Sequence, residues 1–279
     1  MQDFAYNVKF SLGDNQTEIT KYVNETGSIS SWYVGRKVGD LWGLTTDRMI
    51  QEAGEEMPDQ SYYFSKWGPG DIVYKDLNDD GKINPGLNTL DDHGDLTVIA
   101  NTSPRYQIGL MGGVTWKSWD FSMFWQGIGK RTFFPYYNAE CWWGTTTSYA
   151  NTFYAKNSYA LDYWRPAGET NFLGPNTDAF LPKPYTSNER VKNVQTQTRY
   201  LENAAYLRLK NLQIGYTLPQ RIANRTPVQS LRVFFTGENL LTLSPLPKAF
   251  EPESIIASGS NFRIYPLAKL FSLGLNITF

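Results

Sequence analysis

Residues Tyr106–Trp125 read YQIGLMGGVTWKSWDFSMFW, two runs in which apolar residues alternate with small or polar ones. Strict alternation predicts β-strands whose two faces lie in different environments. The first run ends at Trp116 and the second begins at Trp119, so only Lys117-Ser118 separates them. The stretch therefore predicts an antiparallel hairpin with a tight turn. Its two tryptophans occupy the positions expected for an aromatic girdle at a membrane interface.

The same alternation recurs elsewhere in the chain, at roughly the 9–11 residues that a tilted membrane strand requires. Clear examples cover residues 4–12, 206–217, 231–241 and 267–279. In the second example the apolar phase changes between Leu209 and Leu212, which predicts a β-bulge near Lys210-Asn211. Weaker strands are predicted over 17–23 and 36–46, so the predicted total is about eight strands.

The predicted connections alternate in length. Short ones fall at 117–118 and 219–230, and long ones at 49–104 and 130–203. Outer-membrane barrels have short periplasmic turns and long extracellular loops. We therefore predict an all-β fold, formed by strands of a transmembrane antiparallel β-barrel with long extracellular loops. A soluble β-sandwich also has alternating strands, but it seldom combines tight turns with such long loops rich in Trp and Tyr.

The composition agrees with this fold. Trp, Tyr and Phe make up 15% of the 279 residues, yet the mean hydropathy is -0.44. No stretch approaches the roughly 20 apolar residues of a spanning helix. Lys and Arg number 26 and Asp and Glu 27, a balance that argues against a nucleic-acid-binding surface. The single cysteine, Cys141, excludes an internal disulfide.

Several segments, in this order and at these separations, resemble SusC/RagA-type TonB-dependent receptors. They are Gly70–Ile83 (GDIVYKDLNDDGKI), Thr97–Asn101 (TVIAN), Tyr206–Leu212 (YLRLKNL), Ile214–Pro219 (IGYTLP), Gly237–Leu240 (GENL) and the ending Tyr265–Phe279. The resemblance covers nearly the whole chain but only the last third or so of a family member. It implies that residues 1–279 are the C-terminal strands of a large transmembrane antiparallel β-barrel, without the plug and the N-terminal barrel strands. Residues 1–10 also lack the features of a signal peptide, so we expect the parent chain to begin upstream.

The resemblance implies a function as well. Such receptors lie in the bacterial outer membrane and import oligosaccharides or peptides, driven through the TonB complex. A SusD-like surface lipoprotein would close as a lid over the extracellular loops, and the coupling to TonB would reside in the missing N-terminal parts. The resemblance also implies that the terminal aromatic strand, ending at Phe279, is an assembly signal for the barrel-insertion machinery.

A second structural hypothesis stays open. About eight strands are enough to close a small barrel whose lumen is filled by side chains. A chain of this kind would be a stand-alone outer-membrane barrel that acts as a surface binding or structural protein. In either case the strands must belong to a closed barrel, because open sheet edges would leave backbone groups unpaired in lipid.

The segment from Asp76 to Ile83 contains the first half of a calcium-binding loop. Oxygen ligands at Asp76, Asn78 and Asp80, followed by Gly81, occur at the spacing that folds a short loop around a hard cation. The twelfth position is Leu87, where a bidentate acid is needed, so Asp91, Asp92 or Asp95 would have to complete the site. We predict Ca²⁺ as a ligand that stiffens the loop, with a solvated acidic turn as the alternative.

The long connection after residue 130 is rich in aromatic residues. Its candidates for substrate contact are Trp142, Trp143, Tyr149, Tyr163 and Trp164. Flat aromatic faces stack on sugar rings or peptide side chains, whereas the alternative is that they form the core of the loop itself. The single histidine, His93, has no nucleophile motif to accompany it. We therefore predict that the chain is not an enzyme.

Overall fold

The computed structural model describes residues 4–136, 140–143, 161–185, 188–223, 227–248, 250–255 and 266–279. The twelve strands in these ranges are β1 (Phe4–Gly13), β2 (Asp40–Gly43), β3 (Thr46–Met49), β4 (Ile72–Tyr74), β5 (Thr97–Asn101), β6 (Arg105–Trp116), β7 (Trp119–Lys130), β8 (Thr132–Phe133), β9 (Glu202–Asn203), β10 (Tyr206–Thr217), β11 (Ser230–Leu243) and β12 (Leu270–Thr278). Two one-turn α-helices, α1 (Glu140–Trp143) and α2 (Gln220–Ala223), and two 3₁₀-helices, Asn188–Lys192 and Thr198–Tyr200, accompany them. The protein is therefore predominantly all-β, as predicted.

Six long strands form one antiparallel sheet in the order β1-β6-β7-β10-β11-β12. Each strand pairs with the next long strand along the chain, which is the arrangement of an up-and-down meander. None of the helices in the described parts of the chain has both the length and the apolar character needed to cross a membrane.

The two faces of the six-stranded sheet differ in polarity along the whole width of the sheet. One row of register partners runs Tyr6, Val114, Phe121, Ile214, Phe235 and Leu273. The adjacent row, on the opposite face, runs Asn7, Gly113, Ser122, Gln213, Thr236 and Ser272. The apolar face is exposed, with Tyr6 at 73% and Leu273 at 77%, as expected for strands whose outer face is covered by lipid.

The predicted bulge is confirmed. The register of β10 shifts between Leu209 and Asn211 against both of its neighbours. As a result Leu209 and Leu212, although three residues apart, both lie on the apolar face, opposite Trp125 and Met123 of β7. Lys210 is left on the polar face.

Two of the eight predicted strands are wrong. Residues 17–23 contain only an isolated bridge between Glu18 and Lys37, and within 36–46 the long predicted strand is replaced by the short β2, which pairs with β5. The reason lies at Gly35 and Gly39, whose φ angles of 90° and 92° are in the left-handed region and turn the chain. A side chain at Gly39 would also collide with Ser103.

The connections of the sheet follow the predicted alternation. Residues 14–104, 131–205 and 244–269 leave one end of the sheet, and the short connections 117–118 and 218–229 join strands at the other end. Near the short connections Trp116 pairs with Trp119, and the ring centroids of Trp119 and Tyr216 lie 4.8 Å apart. The aromatic girdle predicted from the hairpin is therefore present at this end.

The first two long connections pack into one unit, which we call the loop domain (the described residues of 14–104 and 131–205). Leu41 of the first connection shares a buried cluster with Trp142, Trp143 and Tyr200 of the second. Backbone hydrogen bonds from Leu44 N to Thr196 O and from Thr198 N to Leu44 O, at 2.8 and 3.1 Å, join the two connections directly. The loop domain therefore has its own core at the loop end of the sheet.

Candidate functional site

The acidic loop predicted to bind calcium is a tight turn in which side-chain oxygens accept hydrogen bonds from backbone N–H groups of the same loop. Asp76 Oδ2 accepts a hydrogen bond from Gly81 N at 2.7 Å, and Asp80 Oδ1 accepts one from Lys82 N at 2.8 Å. Asn78 Oδ1 accepts from Asp80 N at 3.2 Å. The second oxygen of Asp76, Oδ1, is buried and has no hydrogen-bond partner. The three predicted ligands are therefore brought together in one tight loop.

The structure brings Asp95 to this loop in place of Asp92. Asp95 is fully buried, and its two oxygens accept hydrogen bonds from Leu77 N and Asn84 N, both at 2.8 Å. Asp92 lies in the following turn, where its backbone N–H donates to Thr89 Oγ1. Among the described residues, no three His, Cys, Asp or Glu side chains are grouped closely enough to hold a metal ion. Asp95 therefore ties the two ends of the loop together with its carboxylate already bonded to the backbone.

The segment GDIVY, just before this loop, contains a fully buried carboxylate, Asp71. Asp71 and Lys192 are 0% and 1% exposed, and their side chains form an ion pair at 2.7 Å. Asn193 completes the pair, because its Nδ2 donates to Asp71 Oδ1 at 2.8 Å and its Oδ1 accepts from Ile72 N at 2.9 Å. This ion pair therefore joins the first long connection to the second, across 121 residues of sequence.

Aromatic rings enclose the Lys192 ammonium. It lies 4.5 Å from the ring centroid of Tyr185 and 5.4 Å from that of Trp67, distances at which a cation is attracted to a ring face. Burial raises the pKa of the Tyr74 hydroxyl well above its ordinary value. Tyr74 therefore keeps its proton, and it donates a 2.6 Å hydrogen bond to Lys192 O.

The aromatic residues proposed as substrate contacts occupy the loop-domain core. Trp142 and Trp143 are 1% and 0% exposed, and each packs edge-on against Tyr200. Trp164, 5% exposed, belongs to a second buried cluster, and Tyr163 is half-buried beside the first. Tyr149 lies outside the described residues. The four described rings therefore pack within the protein, which is the alternative role stated from the sequence.

Phe279 follows the last residue of β12 and is 78% exposed. It continues the apolar face formed by Leu273, Leu275 and Ile277. This position is what a terminal strand offers to an insertion machinery, and its role as an assembly signal stays a prediction.

Sequence reasoning missed a charged cluster at the loop end of the sheet. Arg208, on the polar face of β10, is 2% exposed and forms ion pairs with Glu251 and Glu253, the latter at 2.8 Å. Its Nε also donates to Thr242 Oγ1 at 2.9 Å. Lys210 binds both oxygens of Glu253 at 2.6 and 2.8 Å. Residues 250–255, which we call segment 250–255, are therefore held against the polar face of the sheet.

Segment 250–255 is fixed from a second side. Arg131, at the start of the second long connection, donates from Nη2 to Ile255 O at 2.6 Å. Ile255 is buried with Phe133, Ala204 and Leu246.

Beneath the segment lies a pocket of about 260 Å³ whose lining includes Arg208, Glu251 and Thr242. The signal in the sequence was the pair Arg208 and Lys210 at the end of a membrane strand, matched by Glu251 and Glu253 in the next connection.

A second charged pair lies on the polar face near the short connections. Arg232 donates from Nε and Nη2 to the two oxygens of Asp120, at 2.9 and 2.5 Å. The pair spans β10 at Gly215, whose missing side chain leaves the space that both charged groups occupy. The polar face therefore carries charge at both ends of the sheet.

Comparisons with known proteins bear on this architecture. No family model matches the chain. Two curated relatives come from Formosa agariphila. TonB-dependent receptor P3 is 24% identical over 302 aligned residues that cover 100% of this chain and 27% of the relative. TonB-dependent receptor P26 is 25% identical over 225 residues, which are 75% of this chain and 20% of the relative. The chain thus spans about a quarter of the length of the curated relatives it matches.

Solved structures show the same fold. The RagAB peptide transporter matches with a TM-score of 0.65 and 21% identity, over 100% of this chain and 28% of the other. The RagAB peptide importer in its open-open state matches with a TM-score of 0.60 and 19% identity, over 100% and 27%. The fold is therefore that of strands of a large antiparallel transmembrane β-barrel with long loops at one end. The comparisons confirm the resemblance to the C-terminal portion of SusC/RagA-type TonB-dependent receptors, and these relatives are receptors and transporters rather than enzymes.

Proposed function

We propose that the chain forms part of an outer-membrane TonB-dependent importer that takes up oligosaccharides or peptides. The observation that carries the proposal is the continuous apolar face across all six strands, from Tyr6 on β1 to Leu273 on β12. Together with a polar opposite face, it matches a strand set that has lipid on one side and an aqueous lumen on the other. TonB-dependent receptor P3 and the RagAB peptide transporter each align with 100% of this chain, which supports the same proposal.

The proposal gives the loop domain and the polar face of the sheet different roles. The loop domain, with its buried ion pair and aromatic core, is a rigid platform on the extracellular side. A SusD-like surface lipoprotein would close over this platform, and the RagAB complex is the solved relative that supports such a partner. The polar face would meet the plug and the rest of the barrel, through which the TonB complex drives transport.

The proposal is tested on native outer membranes. Material purified through an affinity tag on this chain would be identified by peptide mass spectrometry. We expect peptides of a plug, of additional barrel strands and of a surface lipoprotein in the same particle. A lone species near 31.9 kDa with no companion would contradict the importer and leave a small stand-alone barrel with a binding or structural role.

We also propose that the acidic loop binds Ca²⁺. Three observations support this proposal: oxygens of Asp76, Asn78 and Asp80 lie in one tight turn, Asp79 and Gly81 adopt left-handed backbone angles of 59° and 78°, and Asp76 Oδ1 is buried without a partner. A hard cation takes carboxylate, amide and backbone oxygens of this kind. Its role would be to stiffen the loop domain. Calorimetric titration of the intact receptor with CaCl₂ measures whether the cation binds.

A further inference from the structure

The pocket beneath segment 250–255 is unusual in its charge. Its lining includes three cations, Arg208, Lys248 and Lys269, and one carboxylate, Glu251. The chain as a whole has a formal net charge of -1, so the positive excess is local to this pocket. The neighbouring pair of Lys210 and Glu253 is neutral in sum and leaves the excess unchanged.

The cations differ in how they are used. Lys248 and Lys269 are exposed, and no carboxylate pairs with either of them among the described residues. Arg208 is buried and fully engaged by Thr242, Glu251 and Glu253. The pocket is therefore lined by two exposed cations that have no carboxylate partner in the described part of the chain, Lys248 and Lys269, and by one buried cation, Arg208, that is already paired.

The contact between Arg208 and Glu251 is the one that a ligand could replace. A planar guanidinium binds any carboxylate with the same paired geometry. If a ligand carboxylate took the position of Glu251, Arg208 would keep its bonds to Glu253 and Thr242. The buried guanidinium of Arg208 would therefore stay paired. Glu251, whose side chain is 10% exposed, would have to turn away from Arg208 and would also lose the hydrogen bond that its Oε1 accepts from Glu253 N.

We propose that this pocket binds a carboxylate group of the imported ligand, and that Glu251 occupies the position while the ligand is absent. The inference rests on the proposed importer function and adds a ligand class to it. The shared chemistry is a carboxylate, carried either by the C-terminus of a peptide or by a uronic acid of a glycan. Lys248 and Lys269 attract the group to the rim, and Arg208 binds it.

The test uses the intact receptor that contains this chain, purified from outer membranes with its companions. Binding is measured by calorimetry for two matched pairs of probes: tetra-alanine with a free or an amidated C-terminus, and tetragalacturonate or its methyl ester. We expect the free acid of one pair to bind about tenfold more tightly than its neutral partner. Which pair shows the preference identifies the source of the carboxylate.

Substitutions test whether the lysines of the pocket cause the preference for the free acid. The double substitution Lys248→Gln with Lys269→Gln changes two exposed residues, and it should remove the preference for the free acid. Lys21→Gln, an exposed lysine of the loop domain, is the matched control and should retain it. Higher salt should reduce the preference of the unaltered receptor, because attraction between exposed charges is screened.

Glu251→Gln gives the sharpest outcome, because a competing carboxylate and a structural one predict opposite signs. The amide competes less well for Arg208, so affinity for the free acid should rise about threefold or more. A fall in affinity, equal binding of both members of both pairs, or no binding of either acid would overturn the inference. Uptake of nutrient extract by cells that carry the receptor is followed in parallel. Intact uptake with any of these negative results contradicts only the carboxylate site, whereas absent uptake contradicts the importer itself.

Discussion

The six-stranded sheet and the loop domain place their side chains in opposite ways. On the sheet, large apolar residues such as Tyr6 and Leu273 are exposed, and the polar residues face the other side. In the loop domain, charged residues such as Asp71 and Lys192 are buried beneath aromatic rings. The proposed location in the outer membrane accounts for the difference, because lipid would cover the apolar face of the sheet. The loop domain, by contrast, is organised like the interior of a water-soluble protein.

The largest effect is expected from breaking the ion pair at the centre of the loop domain. Lys192→Met leaves Asp71 buried and without its cation, which should cost about 3–5 kcal/mol. We expect the loop domain to become sensitive to protease while the sheet remains inserted. Limited proteolysis of the membrane-embedded receptor measures the protease sensitivity of the loop domain. Heat-modifiable migration in gels measures whether the barrel strands remain folded.

The double substitution Asp71→Leu with Lys192→Met sharpens this experiment, because it removes both charges and should recover part of the lost stability. Lys21→Met, at an exposed position, is the control. If Lys192→Met prevented insertion of the sheet as well, the two regions would not be independent and the comparison would fail.

The next effect concerns the two faces of the sheet. Leu273→Arg places a charge on the apolar face, where it should cost about 2–4 kcal/mol near the middle of the bilayer. Ser272→Arg places the same charge one residue earlier, on the polar face, and should cost much less. Folding of the receptor into vesicles at increasing guanidinium concentration compares the two variants. Equal destabilisation would show that the faces are not lipid and lumen.

A smaller effect is expected from calcium. If the cation binds the acidic loop at 100 times its dissociation constant, the loop domain gains about 2.7 kcal/mol. Protease resistance of the loop domain should then rise with added CaCl₂, and Asp80→Asn should weaken the response. Asp178→Asn, at an exposed position of the loop domain outside the acidic loop, is the matched control. An identical response in both variants would place the cation elsewhere.

The smallest effect on stability is expected at the end of the chain. Deletion of Phe279 removes one side chain that is 78% exposed. Stability of receptor already inserted should change little, whereas the amount inserted into the outer membrane should fall. Pulse-labelling of membrane fractions measures the insertion. Normal insertion of the deletion variant would remove the proposed assembly role.

The sheet could be predicted from the sequence because lipid and lumen impose a period of two. That period located the hairpin around Lys117-Ser118 and revealed the bulge at Lys210 from a change of phase alone. The same reasoning failed over 36–46, because Gly35 and Gly39 turn the chain and no period marks a left-handed angle. Local pattern therefore reports the environment of a strand but not the path of an irregular loop.

The candidate site could be predicted only in part, for a related reason. The ligands of the acidic loop are close in sequence, so their grouping around Asp76 was readable. The partner of Asp71 is Lys192, and that of Arg208 is Glu251, at separations of 121 and 43 residues. Nothing local to these residues indicates which distant charge will be buried beside them. The aromatic residues around Trp142 show the converse, since composition alone did not distinguish a ligand surface from a core.

The Asp71–Lys192 ion pair also has a consequence for the order of events during biogenesis. Its two partners come from connections separated by the hairpin of β6 and β7, so neither connection can complete its fold before the other has been made. Strands of the sheet pair with neighbours along the chain, whereas contacts at long sequence separation form slowly. We therefore expect the loop domain to fold after the hairpin, with Asp71 unpaired until Lys192 arrives.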